Sequence, residues 1–162
     1  MPTTVSIPLP LLTVQINSAN AFYTTKSGSN IDQSYVAFVD SGVGVATYWG
    51  IVPRNVAASP LWNLQLYHIA NAGSGGNVLL DILARATSDG STIDTAPTLV
   101  VNSATFAMNT SGVLTINAAS GANFDSVVAL SATNYLFVRV RRVGNAAGDT
   151  VSSQWNLTNL NM

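Results

Sequence analysis

Tyr135-Leu136-Phe137-Val138-Arg139-Val140-Arg141-Arg142-Val143 decides the fold class. Leu136, Val138 and Val140 recur at every second position, with Phe137, Arg139 and Arg141 between them. A period of two puts successive side chains on opposite faces of an extended strand. Branched and aromatic residues suit such a pleated, half-buried surface. The stretch therefore predicts a strand with one apolar face and one face carrying an aromatic and two cations. Charges inside a strand are costly to bury unless paired. A second apolar run, residues 78–86, places Asp81 and Arg85 on one face with Leu83. Arg139, Arg141, Asp81 and Arg85 are thus expected to form an ion-paired cluster, between strands or across a subunit interface.

The same grammar extends along the chain. Residues 11–17 alternate Leu12, Val14 and Ile16 with Thr13, Gln15 and Asn17. Residues 34–40 and 45–52 read as strands around a Ser41-Gly42-Val43-Gly44 turn, and Pro53 ends the second because proline cannot donate to a ladder. Residues 61–70 split into Trp62, Leu64, Leu66 and His68 on one face, and Asn63, Gln65, Tyr67 and Ile69 on the other. A glycine-rich hairpin loop over 71–77 leads to 78–86, a near-continuous apolar run expected to be buried on both faces. Weaker strands follow over 98–108 and 113–117, a short helical turn over 122–129, and a closing strand over 151–160 with Trp155 and Leu157 inward. The prediction is an all-β chain of about eight strands. They form an antiparallel two-sheet sandwich of jelly-roll type, with an up-and-down barrel as the alternative. Residues 1–30 are expected to supply an extended N-terminal arm and first strand, and residues 31–162 the sandwich. Pro2, Pro8 and Pro10 interrupt the apolar start, so Pro8 and Pro10 are expected to lie on a neighbouring subunit.

Composition narrows the function. Only 8% of the 162 residues are charged, against 48% hydrophobic; there is no Glu, no Cys, one Lys (Lys26) and one His (His68). Ordinary surfaces carry about 25–35% charged residues. So few charges predict a chain packed against copies of itself or a larger assembly. A formal net charge of −1 gives no basic face for nucleic acid. No stretch reaches the roughly 20 apolar residues of a spanning helix, and the first cation is Lys26. Neither a membrane nor a nucleic-acid partner is expected, and synthesis in the cytosol is. Without Cys, disulfides and zinc–thiolate sites are ruled out.

Catalytic readings are weak. A Ser-His-Asp triad would need His68, which sits mid-strand among Leu66, Tyr67 and Ile69 with no G-x-S-x-G elbow in the chain. Asp40, Asp89, Asp94, Asp125 and Asp149 each lie beside a Gly, Ser or Thr and read as turn formers rather than as a glycosidase acid pair. Asp89-Gly90-Ser91-Thr92-Ile93-Asp94 lacks the closing Glu of a calcium loop. Gly73-Ser74-Gly75-Gly76 has no following Lys or helix to cradle phosphate. No cofactor is implied and no enzyme is expected. Trp49, Trp62 and Trp155, flanked by alternating apolar residues, are expected in the sheet core rather than on a sugar-stacking platform.

Several segments together carry a family resemblance. They are Ala46-Thr47-Tyr48-Trp49-Gly50-Ile51-Val52-Pro53, the step Gly75-Gly76-Asn77-Val78 into a long strand, and Asp149-Thr150 before a strand ending Trp155-Asn156-Leu157. Over residues 35–160 the chain resembles the small jelly-roll structural proteins of tailed bacteriophage virions. That resemblance implies a non-enzymatic, homotrimeric capsid cement or decoration protein. It would be assembled in the host cytoplasm and docked on the major capsid protein or another virion protein. A fibre-head domain that binds a carbohydrate receptor is the alternative.

Overall fold

A computed structural model describes residues 8–9, 14–27, 31–52, 63–71, 75–92, 94–119 and 134–161. Among them are eleven strands and no helix. In chain order these are β1 (Pro8–Leu9), β2 (Val14–Ile16), β3 (Ala21–Ser27), β4 (Asp32–Phe38), β5 (Val43–Ile51), β6 (Leu64–Ala70), β7 (Asn77–Thr87), β8 (Thr98–Ala107), β9 (Leu114–Ala119), β10 (Tyr135–Val143) and β11 (Trp155–Asn161). They build two antiparallel sheets, ordered β3-β4-β11-β6-β9 and β2-β5-β10-β7-β8, with β1 added beside β11. The sheets pack face to face as a jelly-roll sandwich.

The core is made by strand parity. Val36 and Phe38, Trp155 and Leu157, and Leu64 and Leu66 project from the first sheet. Ala46 and Tyr48, Leu136 and Val138, and Leu80 and Ile82 meet them from the second, and all twelve are fully buried. Each large apolar side chain so buried contributes about 1.5–3 kcal/mol. The rings of Phe38 and Trp155 sit 5.0 Å apart at a tilt of 42°, one of the geometries aromatic pairs favour.

The expected hairpins are mostly something else. Only β3–β4 and β7–β8 are neighbours in both sequence and sheet. The turn at 39–42 and the glycine-rich loop at 71–76 each carry the chain from one sheet to the other, as does the turn between β8 and β9. The sharp corner after β4 needs glycine on both sides. A Cβ on Gly44 would lie 2.8 Å from Phe38 Cδ1 and from the Asn20 carbonyl oxygen. One on Gly144, at the end of β10, would lie 2.3 Å from the Asp40 carbonyl oxygen. Alternation reports which face is apolar, but not which sheet supplies the next strand.

Three more expectations change. Residues 21–27, given no strand by the sequence reading, form β3, the partner of β4. Pro8 pairs with Asn161 of the same chain, because β4 accompanies β11 only as far as Leu157 and leaves that edge open. An edge position suits a residue without an N–H. Trp49 lies on the outer face of its sheet, since Tyr48 takes the inward position. Pro10, Trp62 and the helical turn expected over 122–129 lie outside the described residues.

Candidate functional site

The four charged residues singled out on β7 and β10 do share a surface, the outer face of the second sheet. Register places Arg141 opposite Asp81, Phe137 opposite Arg85, and Arg139 opposite Leu83. On the other side of β10, Phe137 faces Trp49, Arg139 faces Thr47, and Tyr135 faces Ile51. Asp81 is buried and forms an ion pair with Arg141 through Oδ2. Its Oδ1 accepts the Ser103 backbone N–H at 2.6 Å. Arg139 donates from Nε to Thr47 Oγ1 at 3.1 Å, and Thr47 Oγ1 donates to Asn17 Oδ1 at 2.7 Å. Arg85 donates to the carbonyls of Thr95 and Thr92. Among the described residues the cluster therefore holds the Arg141–Asp81 ion pair, with Arg139 and Arg85 each held by other groups.

Arg142, the next residue on β10, points away from this cluster. Its parity with Leu136, Val138 and Val140 sends it inward, where it is fully buried. It makes a bidentate pair with Asp149, Nε to Oδ2 at 2.9 Å and Nη2 to Oδ1 at 2.8 Å. Nη2 also reaches Asp40 Oδ1 at 3.2 Å, and Nη1 donates to the Phe38 and Ser153 carbonyls at 3.0 and 2.8 Å. Asp149 Oδ2 in turn accepts the Leu79 N–H. Asp40 and Asp149 are thus ion-pair partners rather than free turn carboxylates. With Asp81, three of the seven aspartates are committed to arginines.

His68 is inside the core. Its ring lies 5.5 Å from that of Trp155, and Nε2 donates to Asn117 Oδ1 at 2.6 Å. Among the described residues Nδ1, which is buried, has no hydrogen-bond partner. Burial pushes the imidazole down to about 4, against a smaller upward pull from Asn117. A sequestered, neutral ring so placed reaches no substrate, which removes the triad. No group of three or more metal-ligating side chains occurs among the described residues.

The outer face of the first sheet carries a different chemistry. Strand order β4-β11-β6 brings Gln33 and Tyr35, Asn156 and Asn159, and Gln65, Tyr67 and Ile69 onto one surface. Tyr67 Oη donates to Gln65 Oε1 at 2.9 Å, and Gln154 Nε2 donates to Asn156 Oδ1 at 2.8 Å. At one end lies a depression of about 190 Å³, lined by Gln33, Tyr35, Asn71 and Asn156 with Ile31 and Ile69 on its flanks. None of these side chains is charged. Sequence reading missed this surface because its residues come from strands far apart in the chain. The one local signal was the polar set Asn63, Gln65 and Tyr67, on and just before β6.

No protein-family model matches the chain, and no curated protein matches it. Among solved structures it is similar to Arthrobacter globiformis T6 isomalto-dextranase complexed with panose, with a TM-score of 0.53 and 12% identity over 94% of this chain. The chain spans 23% of that enzyme's length. It is also similar to the family 11 carbohydrate-binding module from Clostridium thermocellum in complex with a β-1,3-1,4-mixed-linked tetrasaccharide. There the TM-score is 0.46 and the identity 14%, over 96% of this chain and 94% of that one. A non-crystalline cellulose-specific module of family 28 gives 0.48 and 7%, over 91% and 86%. At 12% identity the likeness to the first of these shows the β-sandwich fold alone.

Proposed function

We propose that the chain is a non-catalytic carbohydrate-binding sandwich that reads a neutral glycan on the outer face of the first sheet. The observation carrying this is the uncharged depression between Gln33, Tyr35, Asn71 and Asn156. An amide side chain offers one acceptor and two donors, which matches the donor-and-acceptor character of sugar hydroxyls. Ile31, Ile69 and the Tyr35 ring supply an apolar wall for the C–H side of a pyranose. The depression is smaller than the roughly 300–1,000 Å³ of drug-sized sites, so it suits one sugar residue, with the strip toward Tyr67 taking the next. The likeness to solved structures supports only the fold that presents this face.

Calorimetric titration with neutral oligosaccharides tests the reading. Gln33→Ala and Asn71→Ala, both at exposed positions, are expected to weaken binding by about tenfold each, the loss of one net hydrogen bond. Titration that detects no neutral glycan at millimolar concentration, or variants that bind like the parent, would overturn it. A second reading, self-assembly of the kind the phage resemblance implies, is favoured by Val113, Leu114 and Ile116, about half exposed on or beside the edge strand β9.

A further inference from the structure

We infer a second, independent binding surface on the outer face of the second sheet, selective for a carboxylate-bearing saccharide such as a uronate. Three rows cross β5, β10 and β7: Ile51–Tyr135–Thr87, Trp49–Phe137–Arg85 and Thr47–Arg139–Leu83. Rows stand about 6.8 Å apart along the strands, and neighbours within a row about 4.8 Å. Trp49 and Phe137 have ring centroids 6.5 Å apart, and Tyr135 and Ile51 beside them are more than half exposed. The result is an apolar strip one row away from the Arg139 guanidinium.

Arg139 is the group that selects charge. Its Nε is held by Thr47, itself anchored on Asn17, while among the described residues its two Nη groups make no hydrogen bond. A guanidinium fixed at Nε presents its remaining donors as a planar fork, the geometry that takes a carboxylate bidentately. On the strands of this face, among the described residues, Arg85, Arg139 and Arg141 stand with Asp81. That is three cations to one anion on a chain whose formal net charge is −1.

A uronate combines an apolar C–H face with a carboxylate on a single ring, which matches rings and fork one row apart. A peptide adding as a strand is disfavoured, because β10 is paired on both edges and has no free ladder to offer. Nucleic acid calls for a broader cationic track than one available fork.

The test uses the full chain and oligogalacturonates of defined length, with the same oligosaccharides carboxyl-reduced to their neutral form as the control. Binding of the acidic form is expected to fall at least tenfold on carboxyl reduction and in Arg139→Gln. It should be partly retained in Arg139→Lys and weakened in Trp49→Ala. Equal affinity for acidic and reduced oligosaccharides, no binding of the acidic form, or an Arg139→Gln variant binding like the parent would overturn the inference. So would a single-stranded oligonucleotide or an acidic peptide competing at equal concentration. Gln33→Ala separates the two faces: it should leave acidic binding intact, so either surface can fail without the other.

Discussion

At the scale of single residues, Arg142 and His68 show how one buried polar side chain constrains the fold. Arg142 ties β10 to the ends of β4 and to the connection that carries Asp149 and Ser153. Removing one partner of a buried pair costs about 3–5 kcal/mol, because the other charge is left uncompensated. Arg142→Met should therefore lower urea-denaturation stability by about that much. Arg142→Met combined with Asp149→Leu should recover a large part of it, since an apolar replacement of both partners is tolerated. A double variant as unstable as the single one would contradict this account. His68 acts through protonation. Its folded value, about 4, lies below the ordinary 6.5, so the unfolded chain binds the proton more readily between those values. The contribution is complete above pH 6.5 and is lost as pH falls toward 4, amounting to roughly 3 kcal/mol. Unfolding free energies measured at pH 7, 6 and 5 should decline more steeply for the parent than for His68→Leu; parallel slopes would rule the mechanism out.

At the scale of elements, β7 and β8 are neighbours whose register slips on either side of Ile82. Ser103 on β8 adopts φ 49°, a left-handed conformation that costs a non-glycine residue roughly 1–2 kcal/mol. The Asp81 carboxylate holds the slip by accepting the Ser103 N–H and Oγ–H. Ser103→Val should destabilise by roughly 1–3 kcal/mol in thermal or urea unfolding, the range for backbone strain at such a position, whereas Ser103→Gly should be neutral or slightly stabilising. Equal effects would mean that the conformation is not what matters there. The same elements show where sequence is informative. Alternation on β10 and β6 separated the two faces correctly, His68 falling with Leu64 and Leu66 and Tyr67 with Gln65, but on β6 it did not say which face is inward. Parity would also have sent Arg142 inward, had the run been followed one residue further. Strand order was not legible, because a short glycine turn can close a hairpin or change sheets with the same residues. The amide face was invisible for that reason: Gln33 and Asn156 become neighbours only once β11 inserts between β4 and β6.

At the scale of the whole molecule, the scarcity of charge must be met by surface chemistry. Several of the few charges are used internally, in Arg142–Asp149–Asp40 and Arg141–Asp81. Amides, hydroxyls and half-exposed apolar groups are left to face water. The weakest point is β9, the edge of the first sheet among the described residues, where Leu114 is 48% and Ile116 54% exposed. An edge strand with apolar side chains and no lysine is a template for pairing with another chain. Association through such an edge combines ladder hydrogen bonds with apolar burial, so it depends little on ionic strength. Sedimentation at tens of micromolar should therefore show a species larger than one chain, unchanged between low and molar salt. Leu114→Lys with Ile116→Lys should return it to the single chain, since a charged edge resists pairing. A parent that sediments as one chain would refute self-association, and an oligomer that dissolves in salt while the lysine variant still assembles would place the contact elsewhere.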